Sequence, residues 1–119
     1  MKNPKVFTDA YQLVVLVFQR TKNFSKPMRP TLGGRLEVAS IDLLMNVKKA
    51  TVTKSQVRLK YLQTASRLLD DMRLLVQLSR DMQCVNSAGF GELSVLTNEL
   101  GRELGGLIRY ETEVSRHVD

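Results

Sequence analysis

The sequence predicts an all-α protein, folded as an antiparallel up-down four-helix bundle. Three observations carry that prediction. The stretch from Thr53 to Gln83 has no proline or glycine, and apolar or small residues recur at Tyr61, Ala65, Leu68, Met72, Leu75, Ser79 and Met82. Spacings of four and three draw a seam along one face of a helix. Stretches before and after it repeat the same rhythm, and the connections between them are short, which sets successive helices antiparallel.

The third helix is the organising element. Leu62, Leu69 and Val76 widen its seam by one position. Thr53-Lys-Ser-Gln56 reads as a capping box, in which the Thr53 hydroxyl takes an orphan N–H and Gln56 reaches back to the cap. At 1.5 Å per residue the rod is about 45 Å long. Such a rod buries its stripe only against other helices of similar length.

The first helix opens at Asn3-Pro4, with Asn as N-cap and Pro in the first turn. Val6, Ala10, Leu13 and Val17 form its inner line; Phe7, Tyr11, Val14 and Phe18 lie beside it, and Val15 and Leu16 broaden the arc. The helix ends in Arg20-Thr-Lys22-Asn23, where cations suit a C-terminus. Pro27 and Pro30 then force an extended or bent connection. Thr31 caps a second helix that runs to about Ala50 on the stripe Leu32, Leu36, Ala39, Leu43, Val47, Ala50. Val38, Ile41, Leu44 and Met45 add apolar surface on its other faces, more than one bundle core requires. After the turn Cys84-Val-Asn-Ser-Ala88, with Asn86 or Ser87 as cap, the fourth helix carries Leu93, Leu96, Leu100, Leu104, Leu107 and Val114. Gly101, Gly105 and Gly106 each weaken an isolated helix by roughly 1 kcal/mol, and are expected to admit a neighbouring backbone.

Length predicts one domain over residues 1–119, and 43% apolar content suffices for a core without metals or disulfides. The lone Cys84 forms no internal bridge, which fits a reducing compartment. The apolar run Leu13–Phe18 is far short of the about 20 residues that a membrane span needs, so a soluble, cytoplasmic protein without membrane contact is expected. Charge is uneven: residues 1–60 carry +9 and residues 61–119 carry −3, within a net +6. A basic half points to a polyanion or an acidic protein surface.

The residue inventory argues against catalysis and against any cofactor or metal. The only histidine, His117, stands near the end with Glu113 four before it, and the Glu-x-x-His pairs of bundle di-metal sites are missing. Cys84 has no histidine nearby in sequence, and Gly89-Phe-Gly91 lacks the strand, third glycine and lysine of a phosphate loop. Glu99 and Glu103 read as a solvated face, and the stripe Arg102, Arg109, Arg116 as a polar flank paired with Glu99, Glu103 and Glu113. The candidate binding residues are cations: Lys22, Lys26, Arg29 and Arg35 around the first connection, and Lys48, Lys49, Lys54 and Arg58 around the second. In an up-down bundle these form two clusters at opposite ends. With few aromatics among them, contacts should go mostly to phosphate of RNA or DNA.

The run Phe24-Ser-Lys26-Pro-Met-Arg29-Pro-Thr31-Leu32-Gly33-Gly34-Arg35-Leu36, followed by Ile41-Asp-Leu-Leu-Met-Asn-Val-Lys-Lys-Ala50, resembles a stretch of the Avd-like four-helix bundle proteins. Helix order and link sizes extend the resemblance over nearly the whole chain. The departure is Met28-Arg29-Pro30, where an acid or aromatic is expected before Thr-Leu-Gly. Avd is the accessory variability determinant of diversity-generating retroelements, and bundle proteins encoded in intervening sequences of bacterial 23S ribosomal RNA genes share its fold. The resemblance implies a non-catalytic homopentameric barrel that binds the retroelement's reverse transcriptase and template RNA and supports mutagenic cDNA synthesis. The alternative is a structural or protein-interaction bundle of the intervening-sequence type, with no specific nucleic-acid role.

Overall fold

Val6, Ala10, Leu13 and Val17 are all buried, and so are Leu32, Leu36, Ala39, Leu43, Val47 and Ala50, the two inner lines expected from spacing. The computed structural model describes residues 4–118 and places these lines on α1 (Pro4–Thr21) and α2 (Gly34–Thr51), packed with α3 (Ser55–Asp81) and α4 (Ser87–Val118). Among the described residues all regular structure is helical. The Asn3 cap lies outside them. The helices form a rod of 51 × 21 × 20 Å, in which each meets the next and α1 returns to α4. Ion pairs fix the direction of travel. Arg20, at the end of α1, meets Glu92 near the start of α4, while Lys5, at the beginning of α1, meets Glu103.

The phase of α3 is turned by one residue from the expected seam. Leu62, Ala65, Leu69, Met72, Val76 and Ser79 are buried, whereas Tyr61, Leu68 and Leu75 are half-buried and Met82 is exposed. Both candidate lines are apolar, so the choice falls to the helices on either side. The expected capping box does not form: Thr53 Oγ1 donates back to the Lys49 carbonyl at 2.9 Å, and the residue before α3 is Lys54, extended at φ −136° and ψ 156°. Ser55 follows at φ 57°, a left-handed conformation that turns the chain within one residue. Thr31 is likewise no cap. Its hydroxyl donates to the carbonyls of Pro27 and Met28, inside a π-helical turn, Arg29–Gly33, that precedes α2. Pro30 has no N–H to give, and the turn closes instead through Gly33 N to Met28 O at 3.0 Å.

Asn86 does cap α4, its Oδ1 accepting from Gly89 N at 2.8 Å. The α4 glycines do not admit a backbone. A Cβ on Gly101 would stand 2.1 Å from Arg73 Nη2, so this glycine receives an arginine side chain from α3. Arg73 Nη2 there donates to the Thr97 carbonyl at 3.3 Å. Gly105 and Gly106 leave room only for Arg109 of their own helix.

Candidate nucleic-acid interface

The first cluster stands on a connection that is short of regular structure but well tied. Phe24 N donates to the Thr21 carbonyl, and Met28 N and Arg29 N both donate to Ser25 O. The Phe24 ring is buried in the core, at van der Waals distance from where a Gly33 Cβ would stand. Thr21 Oγ1 donates to Glu37 Oε2 at 2.5 Å, joining the end of α1 to the start of α2. Lys22, Lys26, Arg29 and Arg35 project from this frame and are exposed. The ion pairs among the described residues involve none of them.

The second cluster stands at the opposite end, as the topology requires. Lys48 and Lys49 close α2, and Lys54 precedes α3; all three are exposed. Lys49 Nζ lies 5.7 Å from the centroid of the Tyr61 ring, a cation–π distance. Arg58 differs from its neighbours. Its side chain is 12% exposed, its Nη1 pairs with Glu111 Oε1 at 2.9 Å, and Glu111 is 4% exposed. Nε donates to the Ala50 carbonyl at 3.1 Å and Nη2 to the Thr53 carbonyl. A guanidinium spent on one buried carboxylate and two carbonyls has little left for a phosphate, so Arg58 ties α2, α3 and α4 together.

Of the flank pairing expected on α4, only Arg116 with Glu113 forms among the described residues. Glu99 and Glu103 turn toward α1, where Lys5 Nζ lies 3.9 Å and 3.3 Å from them and 2.8 Å from Asp9. Arg116 keeps only a 3.9 Å approach to Glu113, and Arg102 and Arg109 enter no ion pair among the described residues. A pairing of Lys5 with Asp9 is legible as an i,i+4 helix pair. Its capture of two α4 carboxylates is not, because that depends on the register of α1 against α4.

This cluster gives the fold a pH dependence. Burial raises the Glu103 carboxyl from 4.5 to about 7; the neighbouring Asp9 adds to the rise and Lys5 opposes it. Folded Glu103 thus holds its proton where the unfolded chain has released it, and stability falls as pH rises from about 4.5 to 7. Asp9 is lowered, so its stabilisation is present above its unfolded value of 3.8 and is lost in stronger acid. Lys5 is raised to about 12, and its stabilisation is kept below 10.5. Urea titrations at pH 5 and 7.5 should therefore show a drop that Glu103→Gln removes; an equal drop in the variant contradicts the assignment.

Elsewhere, burial pushes the Cys84 thiol up, which keeps it protonated and a poor nucleophile. No group of three His, Cys, Asp or Glu side chains among the described residues is placed to hold a metal ion. No described helix is long and apolar enough to cross a membrane. Among known proteins, no family model matches this chain and no curated protein matches it.

Proposed function

We propose that this chain is a non-catalytic, basic accessory protein of a diversity-generating retroelement, acting in the cytoplasm. In this reading it holds template RNA through phosphate contacts and binds the reverse transcriptase during mutagenic cDNA synthesis. The observation that carries it is the set of Lys22, Lys26, Arg29, Arg35, Lys48 and Lys54, six exposed cations that make no internal ion pair among the described residues. Around the two ends of the bundle they leave positive charge that a polyanion can neutralise. Lys49 belongs to the same surface, steadied by Tyr61. The resemblance over Phe24–Ala50 supplies the retroelement setting.

Phosphate binding releases counterions, so log affinity falls with log salt by about 0.7–0.9 per contact. For six contacts, affinity for RNA should drop about a thousandfold between 50 and 200 mM salt. A variant with Arg29, Arg35, Lys48 and Lys49 changed to Gln should bind more weakly and with a shallower slope. Unchanged affinity in that variant would reduce the cations to a solvated surface.

The outer faces of α1 and α2 support self-assembly. Tyr11, Val15 and Phe18 on α1, and Val38, Ile41 and Met45 on α2, are exposed apolar side chains on adjacent helices. Val38 borders Leu74 and Leu78 of α3 in one apolar groove, and a monomer seldom leaves a large apolar patch in water. The expected state is a homo-oligomer, a pentamer if the resemblance extends to assembly, and Tyr11→Lys with Met45→Lys should dissociate it. Light scattering that returns a 13.5 kDa monomer for the unaltered protein at micromolar concentration rules this out.

A further inference from the structure

The arginines of α4 are the cations that the end clusters leave unexplained. Arg102, Arg109 and Arg116 are exposed and recur every seven residues, about 10.5 Å apart along the helix. Glu99 and Glu103, the carboxylates nearest in sequence to Arg102, are held by Lys5 on the side of α4 that faces α1. Arg73 crosses from α3 into the notch at Gly101, where it meets the Thr97 carbonyl. Its charge is shared with Asp70 at 3.1 Å, and its Nε is buried without a hydrogen-bond partner.

Between Arg109 and Arg116 stands Glu113, exposed and 3.9 Å from Arg116, so the clearest stretch of the row lies between Arg102 and Arg109. The Arg109 guanidinium lies back along its own helix, its Nη1 3.5 Å from where a Gly105 Cβ would stand and its Nη2 3.9 Å from that of Gly106. Gly105 and Gly106, each at roughly 1 kcal/mol of helix propensity, leave only the Arg109 side chain over that stretch. Tyr110, which follows Arg109 in sequence and lies about 100° around the helix from it, is 64% exposed with no aromatic or cation partner among the described residues.

The geometry points to a second nucleic-acid surface on the outer side of α4, in which Arg102, Arg109 and Arg116 follow the phosphates of a single strand and Tyr110 stacks on one of its bases. The chemistry selects a single strand over a duplex. A straight row of cations beside an exposed ring matches a flexible backbone with open bases, whereas the bases of a duplex are stacked and closed to the ring. The inference rests on the proposed nucleic-acid role and adds to it a surface on the acidic half of the chain. The two ends would hold backbone charge of any form, and this face would favour unpaired segments.

The test measures the full-length protein with a short single-stranded RNA and a duplex of the same sequence, at about 50 and 200 mM salt. Arg102→Gln with Arg109→Gln should weaken single-strand binding and lower its salt slope by about 1.4, at roughly 0.7 per contact. Tyr110→Ala should weaken single-strand binding about fivefold or more, with the slope unchanged and duplex binding intact. Circular dichroism and light scattering should show both variants folded and assembled as the parent, since all three residues are exposed. Single-strand binding that survives both variants, while the end-cluster variant abolishes it, overturns the surface and leaves the broader function standing. Failure of the unaltered protein to bind either nucleic acid overturns both.

Discussion

Glu111→Ala should destabilise the protein by about 3–5 kcal/mol, a large part of the stability of a domain this size. The reason is what the mutation leaves behind. Arg58 remains among the ends of α2, α3 and α4 with its charge uncompensated, while its bonds to the Ala50 and Thr53 carbonyls keep it from leaving. The pair itself is worth much less than its rupture, because two charges have already been taken from water to make it. The double replacement Arg58→Met with Glu111→Leu should therefore recover most of the loss. Urea unfolding of the single and double variants measures both, and a double variant as unstable as the single one would show that the carbonyl bonds, not the charge, dominate.

Leu43→Ala should cost about 2–5 kcal/mol. Leu43 is completely buried in the middle of α2 and belongs to a core drawn from all four helices. Its removal forfeits transfer free energy and leaves a cavity that long, mutually braced helices close poorly. Val38→Ala, five residues earlier on the exposed face of the same helix, makes the control: at 59% exposure it should change monomer stability by under about 0.5 kcal/mol. Equal losses at the two positions would contradict the placement of the core.

The inner face of α2 was readable because its apolar line has no rival of equal strength at the neighbouring phase, whereas α1 carries a second apolar line, Phe7, Tyr11, Val14 and Phe18, of which Tyr11 and Phe18 stay exposed. In α3, Tyr61, Leu68 and Leu75 compete with Leu62, Leu69 and Val76, and only packing against α2 and α4 decides between them. Helix starts were misread for a related reason. Threonine hydroxyls at Thr31 and Thr53 had carbonyls within a turn behind them, and local bonds of that kind compete with capping. The positions of the basic clusters followed from topology alone. Their availability did not, since the partners that remove Arg58 and release Arg102 come from far along the chain, Glu111 being 53 residues from Arg58.

Among the described residues, the main helix contacts of α1 with α2, α2 with α3 and α3 with α4 join elements that follow one another in sequence, while the meeting of α1 with α4 spans the chain. Folding can thus proceed by hairpin formation, each step closing a short loop, with one costly closure deferred to the end. Topologies dominated by such local contacts belong to the fast end of the kinetic range, microseconds to milliseconds. For a chain that leaves apolar faces on α1 and α2 open to solvent, speed has a particular value: it shortens the interval in which unfinished cores and exposed faces of neighbouring molecules can find each other in the wrong register.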